Sequence, residues 1–252
     1  MYAIFITGTA GSGKSLLVSK LLQLYRDNKS FPITLNLDPG VINLPYEPDV
    51  DVRDYIDIQT LMEKYNLGPN GSLVMASDMI ATRIEEIQSE VDSINPDYVV
   101  IDTPGQIELF AFRVSGPYFV ANFQADAKAN LFLFDGTLVS SPINYVSMSL
   151  LASSIKLRLR TSQVNVLTKR DLILQKLKQI MEWSSSEVLL ESALTTEKDT
   201  ESSLLSIDLM KGINKGGFMQ SLFAVSSVTM HGMVNLSAAL ARILSQGEEV
   251  RD

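Results

Sequence analysis

Residues 2–24 read YAIFITGTAGSGKSLLVSKLLQL, and this stretch decides the fold. Tyr2 to Thr7 is a short apolar run rich in β-formers, and Leu16, Leu17, Leu21, Leu22 and Leu24 follow at helical spacing. Between them stands Gly8-Thr9-Ala10-Gly11-Ser12-Gly13-Lys14-Ser15, which fits G-x-x-x-x-G-K-[ST] in the strand-loop-helix setting that this pattern requires. The chemistry explains the residue types. Glycines let backbone N–H groups close around phosphates, and the helix that follows presents its positive end. Gly11, Ser12, Gly13, Lys14, Ser15 and Leu16 are therefore expected to bind a nucleotide, with Lys14 reaching the β and γ phosphates and the Ser15 hydroxyl holding Mg²⁺.

Outward from this loop the same signals recur. ITLNL (33–37), DYVVID (97–102), NLFLFDG (130–136), QVNVLT (163–168) and LFAV (222–225) are near-continuous apolar runs, the pattern of parallel strands buried on both faces. Helical patterns lie between them, over Arg53–Tyr65, Asp78–Ser93, Pro142–Arg158, Leu172–Trp183 and Val234–Ser245. The expected fold is α/β: a P-loop NTPase with one open, mostly parallel sheet and helices on both faces, residues 1–252 forming a single domain without internal repeats. Two stretches exceed a minimal unit, since a βαβ unit takes about 30 residues. Residues 38–96 hold a Pro-rich segment, a helix, a Gly-Pro-Asn-Gly turn at 68–71 and a second helix on the ligand side of the sheet. Residues 184–217, rich in Ser, Thr and Glu, read as a helical and partly mobile appendage or as a cover for one sheet edge.

Composition narrows the function. Twenty-one Lys and Arg against 29 Asp and Glu give a net charge of −8, which disfavours nucleic acid and anionic membrane as main partners. With no Cys, thiol catalysis, zinc knuckles and iron–sulfur clusters are excluded, and any metal must be held by oxygen. No run approaches the ~18 apolar residues of a membrane span, and the first strand begins at Tyr2, so a soluble, cytoplasmic protein is expected.

Two further elements complete a nucleotide site. Asp102-Thr103-Pro104-Gly105-Gln106 follows the apolar run YVVI. A carboxylate at a strand end facing a phosphate loop suits nucleotide-bound Mg²⁺, Gly105 leaves the backbone free to approach a γ-phosphate, and Gln106 can orient an attacking water. Thr168-Lys169-Arg170-Asp171 follows QVNVL. Asp171 can accept both N1–H and N2–H₂ of guanine, a donor pair adenine lacks, while the stem of Lys169 lies along the base. Asn is usual where Thr168 stands, and Ser226, after LFAV, occupies the place of a base-contacting loop.

The order of these elements, with Gly68-Pro69-Asn70 between the first two, resembles that of GPN-loop GTPases. The resemblance extends over nearly the whole chain through GTAGSGKS, NLDPG (36–40), PYEPDVDVRD (45–54), GPN, DTPGQIELF (102–110) and TKRD. It implies a tight homodimer in which Gly68, Pro69 and Asn70 of each subunit reach toward the other's nucleotide, Asn70 contacting the γ-phosphate region. It also implies that Asp38 orients the water or Mg²⁺, with Glu108 in support. Gly40 stands where relatives often carry a small side chain. Eukaryotic relatives are associated with RNA polymerase assembly and nuclear transport; this short chain, without a long acidic tail, is more similar to an archaeal-type homodimeric member.

The expected activity is Mg²⁺-dependent GTP hydrolysis serving as a switch read by another protein. Two rivals use the same phosphate loop: a small-molecule kinase whose acceptor site is the 38–96 insertion, and a binding module whose dimer GTP locks without appreciable turnover. His231 and the scattered methionines are read as structural. Arg53 and Arg113 are read as ion-paired residues in preference to arginine fingers.

Overall fold

The computed structural model describes residues 1–197, 200–217 and 221–245. Its frame is a seven-stranded sheet of β1 (Tyr2–Gly8), β2 (Pro32–Asn36), β3 (Val50–Asp51), β4 (Tyr98–Asp102), β5 (Ala127–Asp135), β6 (Ser162–Thr168) and β7 (Leu222–Ala224). The strands lie in the order β3-β2-β4-β1-β5-β6-β7, and every pairing is parallel. The apolar runs are continuous because both faces are covered. On one face Ile4, Ile6, Leu131 and Val166 pack under α1 (Lys14–Asp27) and α11 (Met233–Ser245). On the other, Ala3, Phe5, Phe132 and Leu167 belong to a larger cluster. It is roofed by α2 (Ile58–Tyr65), α3 (Pro69–Met79), α4 (Ile84–Ile94), α5 (Ile107–Ala111), α6 (Ser115–Asn122), α7 (Pro142–Leu159), α8 (Leu174–Ser185), α9 (Glu187–Thr195) and α10 (Thr200–Lys215).

Register brings the strand ends together. Ile6 pairs with both Asp102 and Leu131, and Asp135 pairs with Thr168, so the motifs that follow β1, β4 and β6 emerge along one edge. In open α/β sheets this carboxyl edge, where the strand order reverses, is where ligands bind. Beneath it runs a buried polar chain in the larger apolar cluster. Thr7 Oγ1 donates to Asn130 Oδ1 at 2.8 Å, Asn130 Nδ2 to Gln163 Oε1 at 3.0 Å, and Gln163 Nε2 to Asn165 Oδ1 at 3.0 Å.

Several elements differ from the sequence reading. The helix expected over Arg53–Tyr65 is a 3₁₀ turn at Val52–Asp54 followed by α2, because the Asp57 carboxylate accepts the N–H groups of Gln59 and Thr60 and starts a new helix. The Gly-Pro-Asn-Gly turn is also corrected. The bend lies at Asn66, in the left-handed region at φ 52°, while Gly68 is an N-cap and Pro69, Asn70 and Gly71 form the first turn of α3. The helix expected to start at Asp78 thus begins nine residues earlier and continues through a 3₁₀ turn (Ile80–Arg83) into α4. Residues 184–217 are helical as expected where described, and α10 packs on α7 and α9 with Ile207 and Met210 buried. No helix of the described residues is long and apolar enough to cross a membrane.

Candidate functional site

The phosphate loop is held by its own glycines and by the lysine that follows them. Gly11 and Gly13 have φ of 76° and 93°, a region costly for other residues, and Gly13 ends the loop as the N-cap of α1. The first N–H groups of α1, from Lys14 to Leu16, face this loop without helical partners. Lys14 is only 6% exposed. Its Nζ donates to the carbonyls of Gly8, Thr9 and Gly105, each at 3.1 Å. Burial pulls its pKa below the usual lysine value, against the attraction of Asp102 and Asp38.

Asp102, 2% exposed, stands where β4 ends. Burial pushes its carboxyl up to about 6, opposed by the Ser15 and Tyr46 hydroxyls and by the charge of Lys14. Tyr46 Oη donates to Oδ2 at 3.0 Å. Oδ1 is buried without a hydrogen-bond partner, as are the hydroxyls of Thr9 and Ser12 nearby in the loop. Orphaned buried oxygens are rare unless a ligand satisfies them. The donor set fits a hard divalent cation: the Ser15 hydroxyl and Asp102 Oδ1 are oxygen donors of the kind Mg²⁺ takes. Among the described residues no group of three or more His, Asp and Glu could hold a metal alone, so further oxygens must come from nucleotide and water.

Asp38 joins two loops. Its Oδ1 accepts the N–H of Gly40 at 2.9 Å and its Oδ2 the N–H of Gly105 at 2.8 Å. Gly105 is thereby held at its N–H by Asp38 and at its carbonyl by Lys14. Thr103, not singled out in the sequence, fixes the start of this loop by donating to Ile6 O at 2.7 Å. Gln106 and Glu108 are exposed at the start of α5, Gln106 being its N-cap residue.

Thr168 is 3% exposed, and its hydroxyl donates to Ser12 O at 2.8 Å, tying the TKRD loop to the phosphate loop. Lys169, at φ 57°, sets its Nζ on Asp135 Oδ2 at 2.6 Å. Burial raises the Asp135 pKa, but Lys169 and Thr137 override it and hold the carboxyl below the usual range. Asp135 went unassigned in the sequence although it closes NLFLFDG as Asp102 closes DYVVID; a carboxylate at a strand end was the signal. Asp171 lies half-buried in a 3₁₀ turn at Arg170–Leu172. Ser226 is fully buried and its Oγ accepts the N–H of Thr229 at 3.0 Å, so its side chain shapes its own loop. His231 shares that loop, its Nδ1 3.0 Å from Thr229 Oγ1.

Asn70 is exposed on the first turn of α3, and none of the hydrogen bonds that tie the loops above together includes it. The helix itself touches both neighbouring loops. A Cβ at Gly40 would come within 2.4 Å of Leu73 Cδ2, the far end of a flexible side chain, so α3 lies close against the Asp38 loop at this point. At its other end Asp78 Oδ1 accepts Arg113 Nε at 2.6 Å. Arg53 is bound to Asp51, Nη2 to Oδ2 at 2.6 Å, and to Val41 O at 3.1 Å. Both arginines are ion-paired, as expected.

A family model described as a conserved hypothetical ATP-binding protein matches residues 6–246. The GPN-loop GTPase QQT2 of Arabidopsis thaliana is 32% identical over 202 residues, 79% of this chain and 53% of that protein. The GPN-loop GTPase PAB0955 of Pyrococcus abyssi is 33% identical over 181 residues, 71% of each chain. The crystal structure of PAB0955, described as a GTPase in apo form, superposes with a TM-score of 0.84 at 27% identity, covering 96% of this chain and 97% of that one. The chain spans about half the length of several eukaryotic relatives it matches.

Proposed function

The chain belongs to the GPN-loop GTPase family, and from that premise we propose that it is a cytoplasmic, homodimeric, Mg²⁺-dependent GTP hydrolase over residues 1–252. The observation that carries this reading is the bond from Thr168 to Ser12, which joins a loop suited to guanine to a loop suited to phosphates. A kinase would have no need of that base-reading element. Lys14 leaves the carbonyls of Gly8, Thr9 and Gly105 for the β and γ oxygens, and Asp171 accepts the guanine edge with Lys169 braced alongside by Asp135. Ser15 and Asp102 would hold Mg²⁺, which when bound would supply positive charge to the phosphate oxygens. Gln106 and Asp38, with Glu108 in support, orient a water for in-line attack, giving GDP and phosphate. Asn70 acts across the dimer axis on the partner's γ-phosphate region, in keeping with its exposure at the start of α3. GTP and GDP forms then differ at residues 38–54 and 103–115, and a protein client reads the difference.

Phosphate release from GTP, but not ATP, without any added acceptor tests the activity against both rivals. The dimeric site is tested by subunit mixing. Lys14→Ala and Asn70→Ala homodimers should each be nearly inactive. Mixed by denaturation and refolding, about half the dimers are hybrids with one whole site of two, so activity should return to about a quarter of wild type. No recovery, with hybrids confirmed, would place Asn70 outside the partner's site.

A further inference from the structure

The Pro-rich segment before β3 carries a side chain that the nucleotide chemistry above does not use. Tyr46 lies between Pro45 and Pro48, packs against the apolar cluster under α1, and donates its hydroxyl to Asp102 Oδ2 at 3.0 Å. The residues on either side of it are fastened. Asp49 Oδ2 accepts Thr34 N and Oγ1 at 2.8 and 3.0 Å, while Arg53 holds Val41 O from the other side. The phenol has a single proton, and the 3.0 Å contact spends it on this carboxylate. One oxygen of Asp102 is thus held by Tyr46, and the other, Oδ1, is buried without a hydrogen-bond partner.

We propose that Tyr46 is a positioning residue for the metal carboxylate: by holding Oδ2 it fixes the Asp102 rotamer with Oδ1 presented to Mg²⁺, and it fastens the 41–49 segment to that metal. Groups that orient a metal ligand commonly change metal affinity by about 10- to 100-fold when removed. A tyrosine also suits the task sterically. Its ring spans the distance from the segment to a carboxylate 56 positions later, and its single proton leaves no choice of direction. The proposal rests on the assignment of Mg²⁺ to Ser15 and Asp102.

The test is Tyr46→Phe, which deletes only the hydroxyl. Release of a fluorescent GDP analogue is followed at increasing Mg²⁺, with EDTA as the metal-free limit. For wild type, Mg²⁺ should slow release. Tyr46→Phe should need about 10- to 100-fold more Mg²⁺ for the same slowing, while its GDP affinity in EDTA stays within about twofold of wild type. Asp102→Asn should lose the Mg²⁺ dependence, and adding Tyr46→Phe to it should change nothing more, because the hydroxyl acts through the carboxylate. A merely structural role would shift the EDTA affinity and would add to Asp102→Asn. An unchanged or lowered Mg²⁺ requirement in Tyr46→Phe would overturn the proposal with the metal assignment intact. Wild-type release indifferent to Mg²⁺ would overturn the metal assignment, and the proposal with it.

Discussion

Replacing Thr168 by Val keeps the shape of a side chain only 3% exposed and removes one hydroxyl. That hydroxyl is 2.8 Å from Ser12 O and 3.2 Å from Phe134 O, and with a single proton its stronger bond is the one to the phosphate loop. A neutral hydrogen bond contributes about 1 kcal/mol net, but stranding a buried acceptor costs about 1–3 kcal/mol, and Ser12 is fully buried. A loss of about 2 kcal/mol lowers the melting temperature of a chain of this size by about 4–8 °C. Where the cost falls depends on whether the loop is built before nucleotide binds. Here the bond joins two groups of the chain itself and the loop is held by Lys14 on three carbonyls, so the nucleotide-free protein should bear nearly all of it. Thermal melts without nucleotide should show the full drop, and GDP titrations should show affinity within about threefold of wild type. A melting temperature unchanged by Thr168→Val would refute the bond, and a large loss of GDP affinity at normal stability would refute the preformed loop.

Three other outcomes follow from the site. Because the folded Asp102 carboxyl, pushed up to about 6, binds its proton more tightly than in the unfolded chain, its burial costs little near pH 4 and its full amount above pH 6. Asp102→Asn should therefore gain about 2 kcal/mol on wild type between pH 4 and pH 7.5 in melts without nucleotide and Mg²⁺; a pH-independent difference would contradict this. Asp171→Asn should lose about 10- to 100-fold in GTP affinity and come to prefer XTP, whose base carries oxygen in place of N2–H₂, and continued preference for GTP in competition binding would remove TKRD as the base reader. Gln106→Leu should bind GTP normally and hydrolyse it about 10²- to 10³-fold more slowly in single turnover, an expectation that normal single-turnover rates would sink.

The sequence was most legible where chemistry is local. The phosphate loop, the carboxylate ending β4 and the TKRD loop each sit within a few residues of a long apolar run, so pattern and function are read together. The two-residue strand β3 has no periodicity to read. The start of α3 is hidden because Gly-Pro-Asn-Gly is a good turn sequence, yet Pro69 at the first helical position is the available sign. Tyr46, Thr103 and Asp135 escaped for different reasons. Tyr46 and Thr103 act through partners 56 and 97 positions away, which no local pattern records. Asp135 had a local signal, the same one that marked Asp102.

The amide chain from Thr7 through Asn130 and Gln163 to Asn165 bears on how the molecule is aligned. Apolar strands buried on both faces are forgiving of slippage, since a one-residue shift exchanges one set of hydrophobic side chains for another. Here such a shift of β6 against β5 would turn Gln163 to the opposite face and leave the Asn130 amide stranded in hydrocarbon, at a cost of several kcal/mol. The three strands so indexed end in the phosphate loop, Asp135 and Thr168. A slip of one residue moves a strand end by about 3.3 Å, more than the 2.8 Å that separates Thr168 from Ser12. The amides thus serve as alignment pins, and a chain that folded out of register would carry every residue of the nucleotide site without having the site.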